Sequence, residues 1–229
     1  MKKVVLAAAV LALMLVVCFS LVAADDPSVI ESEGLLFRIG ENGAEVVGYQ
    51  GGGRILRIPA RINGCDVVAV GPYAFRSDET LWMVLLPETV RTIGKGAFHY
   101  SHVRCVYLPD SLETIEDSAF SHSWLDSVYI PSSVTQIGSH AFASCFNLRS
   151  ACLDARIEEL PERSFFECVH LYDVILPPGL KRIGEEAFYF CTSLEVLSMP
   201  ESLDSIGLHA FWECESLYPP IVDPVDPAE

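Results

Sequence analysis

Four cysteines stand on a ruler, Cys145, Cys168, Cys191 and Cys214, each 23 residues after the last. Thiols gathered in one place hold zinc, pair as disulfides or act as nucleophiles, and each role needs a different geometry. The histidines offer a second candidate chemistry: His99 and His102 are three apart, while His140 and His209 each sit two residues before a phenylalanine. Side chains recurring at so fixed an interval belong to a repeat, so the elements that carry the repeat decide what they can do.

The ruler is longer than the cysteines. Ala-Phe recurs at Phe75, Phe98, Phe120, Phe142, Phe188 and Phe211, with Ser164-Phe165 in the one altered copy, and the steps between Phe residues are 23, 22, 22, 23, 23 and 23. The aligned copies read Leu-x-x-Val-x-Leu-Pro-x-x-Val-x-x-Ile-Gly-x-x-Ala-Phe-x-x-Cys-x-x. A period in the low twenties is the mark of a leucine-rich solenoid, in which no turn buries its apolar face alone. Val-x-Leu closed by Pro predicts one short parallel strand per 22–23-residue turn, because alternation buries every second side chain and Pro cannot continue a ladder. The Ile-Gly-x-x-Ala-Phe segment predicts an irregular or 3₁₀ convex side, with Phe filling the core behind the strand.

These residues resemble a family. Ile183-Gly184 through Ala187-Phe188, Cys191, Leu194, Leu197, Met199 and Pro200 look like one repeat of the Treponema-type leucine-rich repeats of BspA-like surface proteins. The opening Gly48-Tyr49, Ile58-Pro59, Ile62-Asn63-Gly64, Val67 and Val70-Gly71 is similar to that family's usual first segment. The resemblance implies a surface protein that binds a host or neighbouring-cell protein; no cofactor is expected.

On that scaffold the chemistry narrows. At one rung each, the four cysteines would lie along a line of about 14 Å, whereas zinc needs all four sulfurs within about 2.3 Å of one ion. In-register side chains run parallel, so the column reads as structural free thiols at a tight bend, with Asp78, Ser101 and Ser123 at the same place in earlier turns. Cys65, Cys105 and Cys152 show no defensible pairing. The site before Ala-Phe accepts Gly96, Ser118, Glu186, His140 and His209 alike, which reads as a solvated position rather than a metal or proton site. No nucleophile elbow, zinc-protease helix or phosphate loop occurs. No catalytic residue is assigned, and the departures Asp154, Pro161 and Ser164 make one imperfect turn.

The ends suggest a compartment. Met1-Lys2-Lys3, an apolar run over 4–24 and Val22-Ala23-Ala24 before Asp25 read as a secretory signal peptide cleaved after Ala24; an uncleaved anchor is the alternative, and Cys18 lacks the small preceding residue of a lipidation site. Residues 25–59 read as an N-terminal cap built on a hairpin around Asn42-Gly43, 60–218 as about seven turns, and 219–229 as an acidic, Pro-rich tail. Losing Lys2 and Lys3 with the leader leaves 13 basic against 31 acidic residues, a net charge of −18. That field argues against nucleic acid and anionic membranes, leaving membrane contact to an uncleaved leader.

The outward columns of the strands carry the binding expectation. One reads Met83, Cys105, Ser127, Ser150, Asp173 and Val196, the other Leu85, Tyr107, Tyr129, Cys152, Ile175 and Ser198: one acid and no base. A solvated face without a partner drifts toward charge, so Tyr107, Tyr129, Leu85 and Ile175, with Asp173 on the face and Trp124 at its rim, are the predicted protein-binding patch. The competing reading is a structural or envelope-assembly protein whose rungs simply pack their neighbours.

Overall fold

The computed structural model describes residues 28–218, which form 18 short strands, β1 to β18 in chain order, and no helix. The expected leader and the tail lie outside the described residues. Three strands open the chain: β1 (Val29–Ser32), β2 (Leu35–Gly40) and β3 (Gly43–Tyr49), paired antiparallel. Gly40 faces Gly43 across the β2–β3 turn. The turn is therefore centred on Glu41-Asn42, one residue earlier than the Asn42-Gly43 expected. Leu35, Phe37, Ala44 and Val46 are buried and close the first coil, and the Tyr49 ring reaches Phe75 at 6.2 Å.

Behind this hairpin the chain coils with two ladders rather than one. The first is the Val-x-Leu ladder: β4 (Ile55–Arg57), β7 (Met83–Leu85) and β9 (Cys105–Tyr107), then β11 (Ser127–Ile130), β13 (Ser150–Leu153), β15 (Asp173–Ile175) and β17 (Val196–Ser198), all parallel. Its first rung, β4, falls within the stretch read as cap. The second ladder runs through β6 (Cys65–Val70), β8 (Thr92–Ile93), β10 (Thr114–Ile115) and β12 (Gln136–Ile137), then β14 (Glu159–Leu160), β16 (Arg182–Ile183) and β18 (Ser205–Ile206). Strand β5 (Arg61–Ile62) folds back on β6, and β3 pairs parallel with β6, so the hairpin continues the second ladder. The expected irregular or 3₁₀ side is thus irregular, a run of turns, with this two-residue ladder added.

The reason no 3₁₀ helix forms lies in the backbone around Ala-Phe. Two residues before each Phe and two after it, φ is positive in every turn, between 52° and 61°, at Tyr73, Gly96, Ser118, His140, Arg163, Glu186 and His209 and again at Ser77, Tyr100, His122, Ser144, Glu167, Phe190 and Glu213. A left-handed residue cannot propagate a right-handed coil, and each costs about 1–2 kcal/mol when it is not Gly. The cost is offset along the stack. The Phe75 N–H donates to Ala97 O at 2.8 Å, Phe98 to Ala119 O at 2.7 Å and Phe188 to Ala210 O at 2.8 Å, while alternate residues close turns within their own coil.

The Phe residues themselves form a column through the core. Successive rings from Phe75 to Phe211 stand 5.0–5.4 Å apart with planes within 11° of parallel. Neither ladder is continuous: β9 does not pair with β11, nor β12 with β14. At the second break the cause is legible. Gly94, Glu116, Gly138, Gly184 and Gly207 each donate their N–H to the preceding turn, at 2.7–2.9 Å. Pro161 holds the equivalent position and has no N–H to give.

Candidate functional site

The predicted patch divides when its residues are placed. Tyr107 and Tyr129 are exposed, at 52% and 53%, and Ile175 and Val196 join them. Leu85, Cys152 and Asp173 are half-buried between their neighbours in the ladder. The columns stay in register on either side of the break, Leu85 against Tyr107 and Tyr129 against Cys152 against Ile175. Because β9 and β11 are unpaired, the face is two ladder segments rather than the one continuous sheet expected, and the two tyrosines flank the seam. Tyr129 donates its hydroxyl to Asp154 Oδ2 at 3.3 Å. Asp154 stands where other turns have Pro, and its charge helps raise the phenol above its usual range, after loss of solvent.

Trp124 is not on this face. It lies at the start of the strands with its ring stacked on His102, centroids 3.9 Å apart. Arg54, Glu79, Thr80, Leu81, Trp82, His102, Arg104 and Trp124 surround a cleft of about 360 Å³ there. Sequence reading placed Trp124 at a rim and passed over Trp82, Arg54 and Arg104. The available signal was that Trp82 follows, and Trp124 precedes, the inward Leu of turns two apart, so both flank one row.

The thiol column is buried in the core. Cys145, Cys168 and Cys191 are inaccessible and Cys214 half-buried. Each thiol donates to the carbonyl of a Phe in the turn before it: Cys145 to Phe120 O at 3.1 Å, Cys168 to Phe142 O at 3.2 Å, Cys191 to Phe165 O and Cys214 to Phe188 O at 3.1 Å. Ser123 Oγ meets Cys145 Sγ at 3.4 Å where the column changes from Ser to Cys. Burial pushes the Cys145 thiol up to about 12 and holds Cys168 and Cys191 well above an ordinary thiol. A protonated, enclosed thiol is a poor nucleophile and a poor metal ligand.

The histidines are less solvated than their positions in the repeat suggested. His140 and His209 are half-buried and occupy left-handed positions. His99 packs edge-on to Tyr100 and His122, and Tyr100 stacks on His122 at 4.3 Å. Burial, then the nearby His122 and Arg76, lowers His99, and burial lowers His122. Among the described residues no three His, Cys, Asp or Glu side chains converge as a metal site. A further open groove of about 540 Å³, lined by Thr114, Gln136, Glu158 and Pro161, follows the break in the second ladder.

Two parallel ladders wound once every 22–23 residues around a stacked Phe core define a leucine-rich repeat solenoid. The family model of the BspA type leucine rich repeat region (6 copies) matches residues 68–178 and 91–218, and the chain belongs to that family. The crystal structure of the Treponema pallidum leucine rich repeat protein is similar at 29% identity and TM-score 0.77, over 83% of this chain and 91% of that one. A leucine-rich repeat protein from Bacteroides ovatus is 25% identical, with TM-score 0.57, over 80% of this chain and 56% of that one. No curated protein matches.

Proposed function

We propose that this chain is an exported or cell-surface protein-binding module, adhesin-like in recognising a host or neighbouring-cell protein through the outer face of its first ladder. One observation carries the reading: in a chain with 31 acids, the outward columns hold exposed Tyr107, Tyr129, Ile175 and Val196 with Asp173 as their single charge. Amphipathic rings held on a rigid sheet lose little entropy on docking and supply both apolar contact and a hydroxyl. The basic start and the apolar run over 4–24, read from sequence as a leader, support export. The test is surface plasmon resonance against purified extracellular-matrix and plasma proteins. Tyr107→Ala with Tyr129→Ala is expected to weaken binding more than tenfold, about 1.4 kcal/mol, with the melting temperature within a few degrees. Equal binding by the double mutant would remove the sheet face from the interaction.

A further inference from the structure

The residue before each first-ladder strand belongs to a column at the start of the strands. Arg54, Trp82, Arg104, Asp126 and Arg149 follow one another rung by rung, as the register of the adjoining strands and the Asp126 N–H bond to Arg104 O require. Tyr172 and Glu195 continue it, and Tyr218 follows Leu217 as Glu195 follows Leu194. Arginine therefore returns on every second rung, about 9.6 Å apart. Arg54 and Arg149 are exposed and enter no ion pair among the described residues. Arg104 binds Asp126 Oδ1 through Nε and Nη2, at 3.2 and 2.8 Å, leaving further N–H groups toward the cleft. Glu79 at the cleft and Asp126 and Glu195 in the column are the acids beside it, Asp126 being paired to Arg104; in so acidic a chain, a row of three arginines set among Trp82, Trp124 and Tyr172 is a surface suited to an acidic, extended ligand.

We propose that its occupant is residues 219–229 of the same chain, docked along this column toward the first turn. The acids of that segment are Asp223, Asp226 and Glu229, every third residue, and Pro219, Pro220, Pro224 and Pro227 punctuate it. Proline favours the polyproline II form, which has three residues per turn and rises about 3.1 Å per residue, so every third side chain shares a face at intervals of about 9.3 Å. That interval matches the arginine interval. The starting point matches as well, because the segment leaves from Tyr218 in the same column. From Tyr218, Asp223 is about 16 Å along such a chain and Arg149, three rungs back, is about 14 Å away. Asp226 lies at about 25 Å and Glu229 at about 34 Å, against about 24 Å for Arg104 and about 34 Å for Arg54. The acidic face meets the three guanidiniums in charge-assisted pairs, and the proline rings lie against the aromatic side chains of the cleft, the pairing that aromatic grooves use for proline-rich segments.

This site stands apart from the sheet face and is tested without its partner. The mature chain carrying Trp212→Phe reports on Trp82 and Trp124 by fluorescence. Ending the chain after Tyr218 is expected to increase acrylamide quenching and red-shift the emission. Replacing Asp223, Asp226 and Glu229 with Lys is expected to do the same, and adding Arg54→Glu, Arg104→Glu and Arg149→Glu to that variant to reverse the effect. A synthetic peptide of residues 218–229 restores protection to the truncated chain, whereas one of the same composition with the acids moved off every third place does not. Unchanged quenching on truncation, or equal protection by both peptides, overturns the proposal. Protection that depends on protein concentration assigns the segment to a second copy and overturns docking within one chain.

Discussion

Phe188→Ala tests the physical basis of the coil. The ring is fully buried and lies between Phe165 at 5.4 Å and Phe211 at 5.3 Å, with planes within 3° and 8° of parallel. Truncating a buried Phe costs about 3–5 kcal/mol through lost transfer energy and the cavity left behind, and here both ring neighbours also lose a contact. The backbone limits collapse, since the amides of Phe165 and Phe188 are tied to Ala187 O and Ala210 O at 2.8 Å. A value near the upper end, about 4–5 kcal/mol, is therefore expected. Phe188→Leu keeps most of the apolar volume and is expected to cost about 1.5 kcal/mol. Urea unfolding measures the totals. Hydrogen exchange locates the damage, which in a nearly one-dimensional array should centre on the amides of Phe165, Phe188 and their neighbours and leave the N-terminal hairpin protected. A loss under about 1 kcal/mol, or exchange raised equally from hairpin to last turn, would refute the stacked-core account.

The raised thiols set a pH dependence: Cys145, Cys168 and Cys191 hold their protons more tightly folded than unfolded, so their contribution is intact below the unfolded thiol value of 9.0 and is lost as pH rises above it. Urea midpoints are expected to fall from pH 9 upward, and Cys168→Ser, which does not titrate there, is expected to flatten that fall; parallel curves for the two proteins would argue against it. Pro161→Gly supplies the N–H that the six other turns, from Gly71 to Gly207, give to their neighbour, and nuclear magnetic resonance exchange should find that new amide protected, with rapid exchange showing that the seam has another cause.

Much of this molecule is legible in one dimension. The 22–23-residue step, the inward Leu, Val and Phe columns and the Val-x-Leu strands follow from a pattern that each turn restates, and repetition averages away the ambiguity of any single short strand. The Cys column was readable for the same reason, since Ser101 and Ser123 at the equivalent places exclude a role that only sulfur could play. The second ladder was not. Thr92-Ile93 and its equivalents are two residues long, below any period that sequence can register, and they become strands only because neighbouring turns present their carbonyls at hydrogen-bonding distance. The left-handed positions were equally hidden: Tyr73, Arg163, Glu186 and Phe190 carry no local preference for positive φ, and the inter-turn bonds impose it. The two seams, and the gathering of Arg54, Trp82, His102 and Trp124 into one cleft, join residues from different turns. Sequence alone determined which side chains point inward, because alternation and period are properties of the chain. Tertiary stacking decided which outward side chains meet, because that depends on the register between turns.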